Sequence, residues 1–339
     1  VHRTKNLRLT WLLLLAAILG GCQPRQQLVE QHLLEFGTII QISLVTDDLP
    51  RAERLLEEIE ARLHRYRSYW SSWEDSDLTR FNADLQQHRE APVPASLARL
   101  LRLCRDYYVA SGGLFDPAIG KLISAWGFHG SPPNEAEIAR LRADMPSMRD
   151  LEIDGDRAFS HHPDLEIDLG GIAKGYAIGL VGEFLDDNGI DDYIVNAGGD
   201  MLISGNKFGR PWRIGIQDPY APGVVAGIEI AGRHSLFTSG NYRRRYLQGG
   251  ELEHHIMDPR SGKPARGQSS ATVLVDDPVR ADVAATVLMI DGTHNSRKLA
   301  LSLGVKNYLI VTESREIRVS GPFAEKLEIE PGWKVEIIN

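Results

Sequence analysis

Leu165-Glu-Ile-Asp-Leu-Gly-Gly-Ile-Ala-Lys-Gly-Tyr176 is the stretch on which the fold turns. It reads as a strand that ends at Gly170-Gly171 and opens directly into a helix from Ile172 to Asp187, closed by Gly189. Glycines at such a junction let backbone N–H groups approach an anion. A helix N-terminus adds unpaired N–H groups and the positive end of a dipole, both suited to phosphate oxygens. Lys174, in the first turn, supplies a positive charge. The stretch has neither the Gly-Lys-Ser/Thr of the P-loop nor the Gly-x-Gly-x-x-Gly of the dinucleotide fingerprint, so a tight strand-to-helix turn accounts for the same glycines.

Around this stretch the chain has the texture of an α+β protein. Residues 33 to 45 read as a strand pair with a tight place at Gly37. Leu49 to Tyr66 carries apolar residues at helical spacing in Leu55, Leu56, Ile59 and Leu63, and a second helix follows Pro94 and stops at Ser111-Gly112-Gly113. From about Leu151 short strands dominate: LEIDG, LEIDL, DYIVNAG, WRIGIQD, VAGIEI and SATVLVDD. The helix opening at Ile172 and another from about Ala281 to Ile290 interrupt them. Strands and helices do not alternate strictly, which argues against a doubly wound sheet, and no solenoid repeat is visible.

The N-terminus reads as a separate object. Arg3, Lys5 and Arg8 precede an apolar run from Leu9 to Leu19 that is short for a membrane span, the layout of an export signal. Leu19-Gly20-Gly21-Cys22 resembles the bacterial lipobox, in which the Cys receives diacylglycerol and becomes the new N-terminus. Residues 1–21 are thus expected to be a lipoprotein signal peptide, 22–32 a lipidated tether and 33–339 the folded domain. The mature protein would be exported and lipid-anchored to a bacterial membrane, on the periplasmic side in a Gram-negative host. Gln23, rather than Asp, follows the Cys, so nothing signals inner-membrane retention. Loss of the leader's three positive charges takes the formal net charge from −8 to about −11. A surface this acidic speaks against nucleic acid as a partner. Only Cys104 accompanies Cys22, so no internal disulfide framework is expected.

Two further stretches carry chemistry. In Ala281-Asp-Val-Ala-Ala-Thr-Val-Leu-Met-Ile290, Asp282 and Thr286 stand four apart and share one helix face. Both are hard oxygen ligands of the kind Mg²⁺ prefers, although an acid near a helix start and a Thr in a core are also routine. The stretch from Ser235 to Arg245, with His254-His-Ile-Met-Asp-Pro-Arg-Ser-Gly-Lys-Pro264, offers a His as general base and a basic turn, or simply a hairpin turning at Pro259 to Gly262. No Gly-x-Ser-x-Gly, His-Glu-x-x-His or Cys-x-x-Cys occurs, which removes motif support for serine hydrolases, zincins and thioredoxin-like proteins.

Taken in order, the motifs resemble the ApbE family of FAD:protein FMN transferases. The blocks are Phe36-Gly-Thr38, Ser71-Ser-Trp-Glu-Asp-Ser-Asp-Leu-Thr-Arg-Phe-Asn82, Gly113-Leu-Phe-Asp-Pro117 with Trp126-Gly-Phe128, Asp168-Leu-Gly-Gly-Ile-Ala-Lys-Gly175, Asn196-Ala-Gly-Gly-Asp200, Thr238-Ser-Gly-Asn-Tyr242, His255-Ile-Met-Asp-Pro-Arg-Ser-Gly262 and Asp282-Val-Ala-Ala-Thr286. The resemblance implies an ApbE-like, T-fold-like core of mixed short strands with packed helices. It implies FAD as substrate, Mg²⁺ held by Asp282, Thr286 and the Gly171 carbonyl, and a flavin wall of Phe36, Trp73, Leu114, Phe115, Asp116, Asp168, Lys174 and Ile256. Lys174 and His255 are the candidates for sharing charge and taking the acceptor's proton. The acceptor would be a flavoprotein subunit of a membrane redox complex, modified on Thr or Ser with release of AMP. This chain departs from the family pattern where Trp73 stands for the common Tyr, Phe36 for the usual Met, and Ala285 for an Asp found in some relatives. An Mg²⁺-dependent FAD pyrophosphatase and a non-enzymatic FAD-binding lipoprotein are the competing readings.

Overall fold

Residues Gln27–Glu35 and Thr38–Thr46 pair in antiparallel register along their full length and start a nine-stranded sheet. In this computed structural model the described residues are 26–128, 132–242, 245–248, 251–292 and 295–339. The leader, the lipobox and Cys22 lie outside them, as do Arg243 and Arg244. The expected tether boundary moves: Gln27 to His32, placed in the tether by sequence, belong to the first strand. Their polar side chains read as a spacer, but this strand sits at the sheet's edge, where such residues face water and one another. Ser43 Oγ, for example, donates to Glu30 at 2.9 Å.

With labels for the main sheet alone, those strands are β1 and β2, followed by β3 (Tyr193–Ala197), β4 (Asp200–Ser204), β5 (His234–Gly240), β6 (Gln268–Val275), β7 (Asn307–Thr312), β8 (Glu316–Ser320) and β9 (Lys334–Ile338). Spatial order follows chain order, with every pair antiparallel except β8 and β9. The turns after β1, β3, β5 and β7 therefore meet at one end. That end carries Phe36-Gly37 and Gly198-Gly199, and it holds the site.

Five longer helices are labelled α1 (Leu49–Trp70), α2 (Asp77–His88), α3 (Ala95–Ala110), α4 (Ala173–Asp187) and α5 (Pro278–Asp291). Their apolar faces and one sheet face enclose the main core, with Leu63, Phe81, Leu101, Val181, Phe237 and Val283 all buried. The other face packs Leu236, Leu274, Leu309 and Val311 against a small sheet of Trp212–Gln217, Val224–Ile230 and Leu327–Ile329. This two-sided burial explains why β6 is apolar or small at almost every position rather than alternating. The α+β expectation holds.

Two local expectations change, and one helix joins them. The segment Leu165 to Leu169 is extended but is not a ladder strand. Its only bridge is Ile119 with Glu166, and the buried Asn82 side chain stands in for a neighbouring strand. Asn82 donates to the Ile167 carbonyl at 2.8 Å and accepts the Ile167 N–H at 2.9 Å. Helix α5 begins at Pro278, earlier than Ala281, because Asp277 caps it by accepting the Val279 and Arg280 N–H groups at 2.8 and 3.1 Å. Helix α2 begins inside the quoted Ser71–Asn82 block, at a Ser76/Thr79 capping box, and runs on to His88.

Candidate active site

The site forms where the start of α4 meets α5. Gly175 permits the approach: a Cβ there would lie 2.4 Å from the Pro278 carbonyl oxygen and 2.8 Å from Asp282 Cβ. The Gly175 N–H donates to Asp282 Oδ2 at 2.8 Å, so a carboxylate from the neighbouring helix caps α4. Other early amides are also engaged, since Ile172 and Ala173 both donate to the Leu169 carbonyl at 3.0 and 2.8 Å, and Gly170 donates to Asp168 Oδ1 at 2.8 Å. The cradle of unpaired amides expected for phosphate is therefore largely occupied by the protein's own oxygens.

Lys174 is not a free positive charge either. Its ammonium bridges Asp200 Oδ2 at 2.8 Å and Asp282 Oδ1 at 3.2 Å. Burial works against the charge on Lys174, yet the two carboxylates outweigh it and hold the lysine above its ordinary range. Burial likewise raises the Asp282 carboxyl, against the pull of Lys174 and the Gly175 N–H. Two carboxylates around one ammonium leave the cluster negative. Asp200 is fixed by the Thr238 N–H, which donates to its Oδ1 at 3.0 Å.

Thr286 sits one turn beyond Asp282, its Oγ1 donating to the Asp282 carbonyl at 3.1 Å and lying 3.2 Å from Ser239 Oγ. Gly171 faces it. A Cβ at Gly171 would be 3.6 Å from Thr286 Oγ1 and 3.2 Å from the Phe115 ring. Asp282, Thr286 and Gly171 thus come together, and Asp200 and Ser239 stand beside them. Among the described residues no group of three or more His, Cys, Asp or Glu is placed to hold a metal. The available donors are one carboxylate, a hydroxyl and a carbonyl, which suit a hard cation such as Mg²⁺ and not a thiolate- or imidazole-seeking metal.

On one side the Phe115 ring lies against Gly171. Leu114, Phe115 and Ile256 are buried in the main core, with Phe36 packed against it. Asp116 accepts the Ala118 and Met148 N–H groups at 3.0 and 3.1 Å, and burial pushes its carboxyl up to about 7 despite them. Asp168 Oδ2 accepts the Ser72 hydroxyl at 3.0 Å, which ties the Trp73 loop to the site. Trp73 itself is 52% exposed, as a stacking platform for a flat ligand has to be. His255 sets its ring edge-on to Phe128, a member of a satellite cluster, with centroids 6.4 Å apart. The Pro259–Gly262 hairpin is present, with Met257–Asp258 paired to Lys263–Pro264. Sequence reasoning assigned no role to Asp200, Ser239, Ser72 or Asn82. All four stand in the quoted motif blocks, but only the fold shows what each touches.

The model of the ApbE family matches residues 36–310. The chain belongs to the ApbE family. Among relatives, the FAD:protein FMN transferase of Rhodobacter capsulatus is 35% identical over 91% of this chain, which spans 60% of that protein's length. The FAD:protein FMN transferase of Vibrio cholerae is 31% identical over 89% of this chain and 93% of its own. The ApbE protein of Thermotoga maritima superposes with a TM-score of 0.80 at 29% identity, covering 88% of this chain and 99% of that one. The flavin transferase ApbE of Vibrio cholerae gives 0.75 at 26% identity, covering 89% and 100%. The Lys174–Asp200–Asp282 cluster thus lies within an ApbE fold, inside the span that the family model matches.

Proposed function

We propose that this ApbE chain is an FAD:protein FMN transferase, moving the FMN half of FAD onto a Thr or Ser hydroxyl of an acceptor flavoprotein and releasing AMP. The observation that carries the reading is the buried, net-negative cluster beside Gly171 and Thr286. Asp200 and Asp282 contribute two carboxylates against the single Lys174 ammonium. A pyrophosphate would be repelled by such a site unless a divalent cation accompanied it. Asp282, Thr286 and the Gly171 carbonyl are the residues to hold Mg²⁺, which when bound supplies charge neutralisation to the pyrophosphate.

The chain's own residues do the rest by positioning. Trp73, Phe36, Leu114, Phe115 and Ile256 hold the isoalloxazine, and Asp168 fixes the Trp73 loop through Ser72. Lys174 tethers Asp200 and Asp282 to one another. The acceptor oxygen bonds to the FMN-side phosphorus, the bridging P–O bond breaks, and AMP carries away that oxygen. The hydroxyl proton goes to His255 as general base. We further propose that Cys22 is lipidated and holds the exported enzyme at a membrane, within reach of flavin-carrying subunits of membrane redox complexes.

The test is intact-mass analysis of a peptide bearing the acceptor Ser or Thr, incubated with the protein, FAD and Mg²⁺ beside an Asp282→Ala control. The expected result is a gain of one FMN unit that the control lacks. An unmodified peptide with free FMN and AMP would establish a pyrophosphatase instead. Intact FAD with an acceptor known to be competent would leave a binding protein.

A further inference from the structure

One hairpin tip holds an aromatic ring in water. Lys207 N–H donates to the Arg210 carbonyl at 2.7 Å, and Arg210 N–H returns to the Lys207 carbonyl at 3.1 Å, closing a two-residue turn. Phe208 and Gly209 at its centre have φ of +53° and +76°. Glycine takes such values freely, but a Phe is strained there, and this ring is 46% exposed. Phe36-Gly37 repeats the device at the opposite end of the sheet, with φ of +53° and +68°, and there the Phe packs against the core beside the site. Among the described residues nothing plays that part for Phe208.

The flanks are cationic in an acidic protein. Lys207, Arg210 and Arg213 are all exposed. Lys207 lies over the Trp212 ring, and Arg213 reaches Glu328 only at 3.4 Å on the surface. No ion pair holds Lys207 or Arg210 among the described residues. Of the acids at this end, Asp48 accepts the Arg51 N–H at 3.0 Å and Asp192 the Asn206 N–H at 2.7 Å, while Asp47, Asp191 and, across from Arg213, Glu229 are exposed.

The turn also lies where the chain outside the structure emerges. Gln27 pairs with Thr46, Val45 N–H reaches the Asp192 carbonyl, and Asp192 holds Asn206. The start of β1 and the turn are therefore about three strand spacings apart, roughly 14 Å. The chain from Gln27 back to Cys22 spans at most about 17 Å. The site is at the far end of β1 and β2, about 30 Å away.

We infer that the Lys207–Arg213 turn is a bilayer contact: Phe208 enters the interfacial layer of a phospholipid surface, Lys207 and Arg210 meet headgroup phosphates, and the site faces away from the membrane. An aromatic ring between basic residues suits this boundary, where the ring leaves water while the cations stay hydrated among phosphates. The orientation rests on the reading of Cys22 as the anchor; the contact itself rests on the turn.

The test uses the full chain in vesicles of phosphatidylcholine and phosphatidylglycerol. A nitroxide is placed on Phe208→Cys, the only other cysteines being Cys22 and the buried Cys104, with Arg315→Cys at the site end as control. The expected result is a label at 208 that collides several-fold more often with oxygen than with a water-soluble nickel chelate. That preference disappears when Lys207 and Arg210 are both changed to Glu, and the label at 315 stays water-like throughout. A label at 208 as open to nickel as the one at 315 overturns the inference, as does protection that appears only when an acceptor protein is added. An intact mass without acyl chains overturns the anchor reading alone, and the label at 208 in that protein, with vesicles added, still decides the contact.

Discussion

Gly175→Ala asks whether the approach of α4 to α5, rather than the acids alone, makes the site. The new Cβ would meet the Pro278 carbonyl oxygen at 2.4 Å and Asp282 Cβ at 2.8 Å. Neither is the far end of a flexible side chain, so the helices have to part by about 1 Å to restore ordinary contact. Overpacking of this kind costs about 1–3 kcal/mol, and alanine's better helix propensity returns roughly 1 kcal/mol. The net loss of up to roughly 2 kcal/mol lowers the melting temperature by at most about 3 °C. Function falls further, because Asp282 is held by the Gly175 N–H at 2.8 Å, and displacing a positioned group by about 1 Å costs on the order of 100-fold in rate. Gly179→Ala is the internal control: its Cβ would lie 3.1 Å from Pro278 Cγ, a ring edge with room to give, so melting and transfer stay close to the parent. Thermal melts and intact-mass transfer assays read both variants. If Gly175→Ala melts and transfers like the parent, or if the two variants cannot be told apart, helix approach is not what positions Asp282.

Phe36→Asn separates stability from binding. Asn tolerates the left-handed turn that strains Phe but gives up the ring's packing against the core, so the variant melts within about 1–2 kcal/mol of the parent while FAD affinity, followed by flavin fluorescence, falls several-fold. Asn82→Ala strips both partners from the buried Ile167 N–H and carbonyl, and denaturant titration is expected to register a loss of about 2–5 kcal/mol. His254 provides a pH signature. It donates from Nε2 to the Ala265 carbonyl at 2.7 Å and accepts the Ile256 N–H at Nδ1, and burial lowers it from 6.5 to about 4. As pH falls the unfolded chain takes the proton first, so this contribution is complete above about pH 6.5 and is lost toward pH 4, by up to roughly 3 kcal/mol. Urea melts at pH 7 and 4.5 should show that slope in the parent and a flatter one in His254→Gln.

Much of the site could be read in the chain because its chemistry is local. Asp282 and Thr286 face the same way through helix periodicity alone, and Gly170-Gly171 marks an abrupt change of backbone direction whatever surrounds it. The Leu165–Leu169 segment misled because an extended backbone needs only partners for its amides, and Asn82, remote in sequence, supplies them. Gln27 to His32 misled because an edge strand exposes polar side chains and looks like a spacer. Asp200 and Ser239 had no visible role because they sit on strands whose only link to α4 and α5 is through space.

By itself the sequence determined an acidic α+β protein with ApbE-family motifs in order, and an Asp282–Thr286 pair on one face of a helix. Only the tertiary structure decided that Lys174 is bound between Asp200 and Asp282, that the amides opening α4 are already engaged, and that Phe115 and Thr286 close on Gly171. Charge pairing at 3 Å depends on which backbones approach, and here glycines without a Cβ let two helices meet. Composition and spacing record that a glycine is present, whereas what fills the space it leaves is settled by the packing of the whole chain.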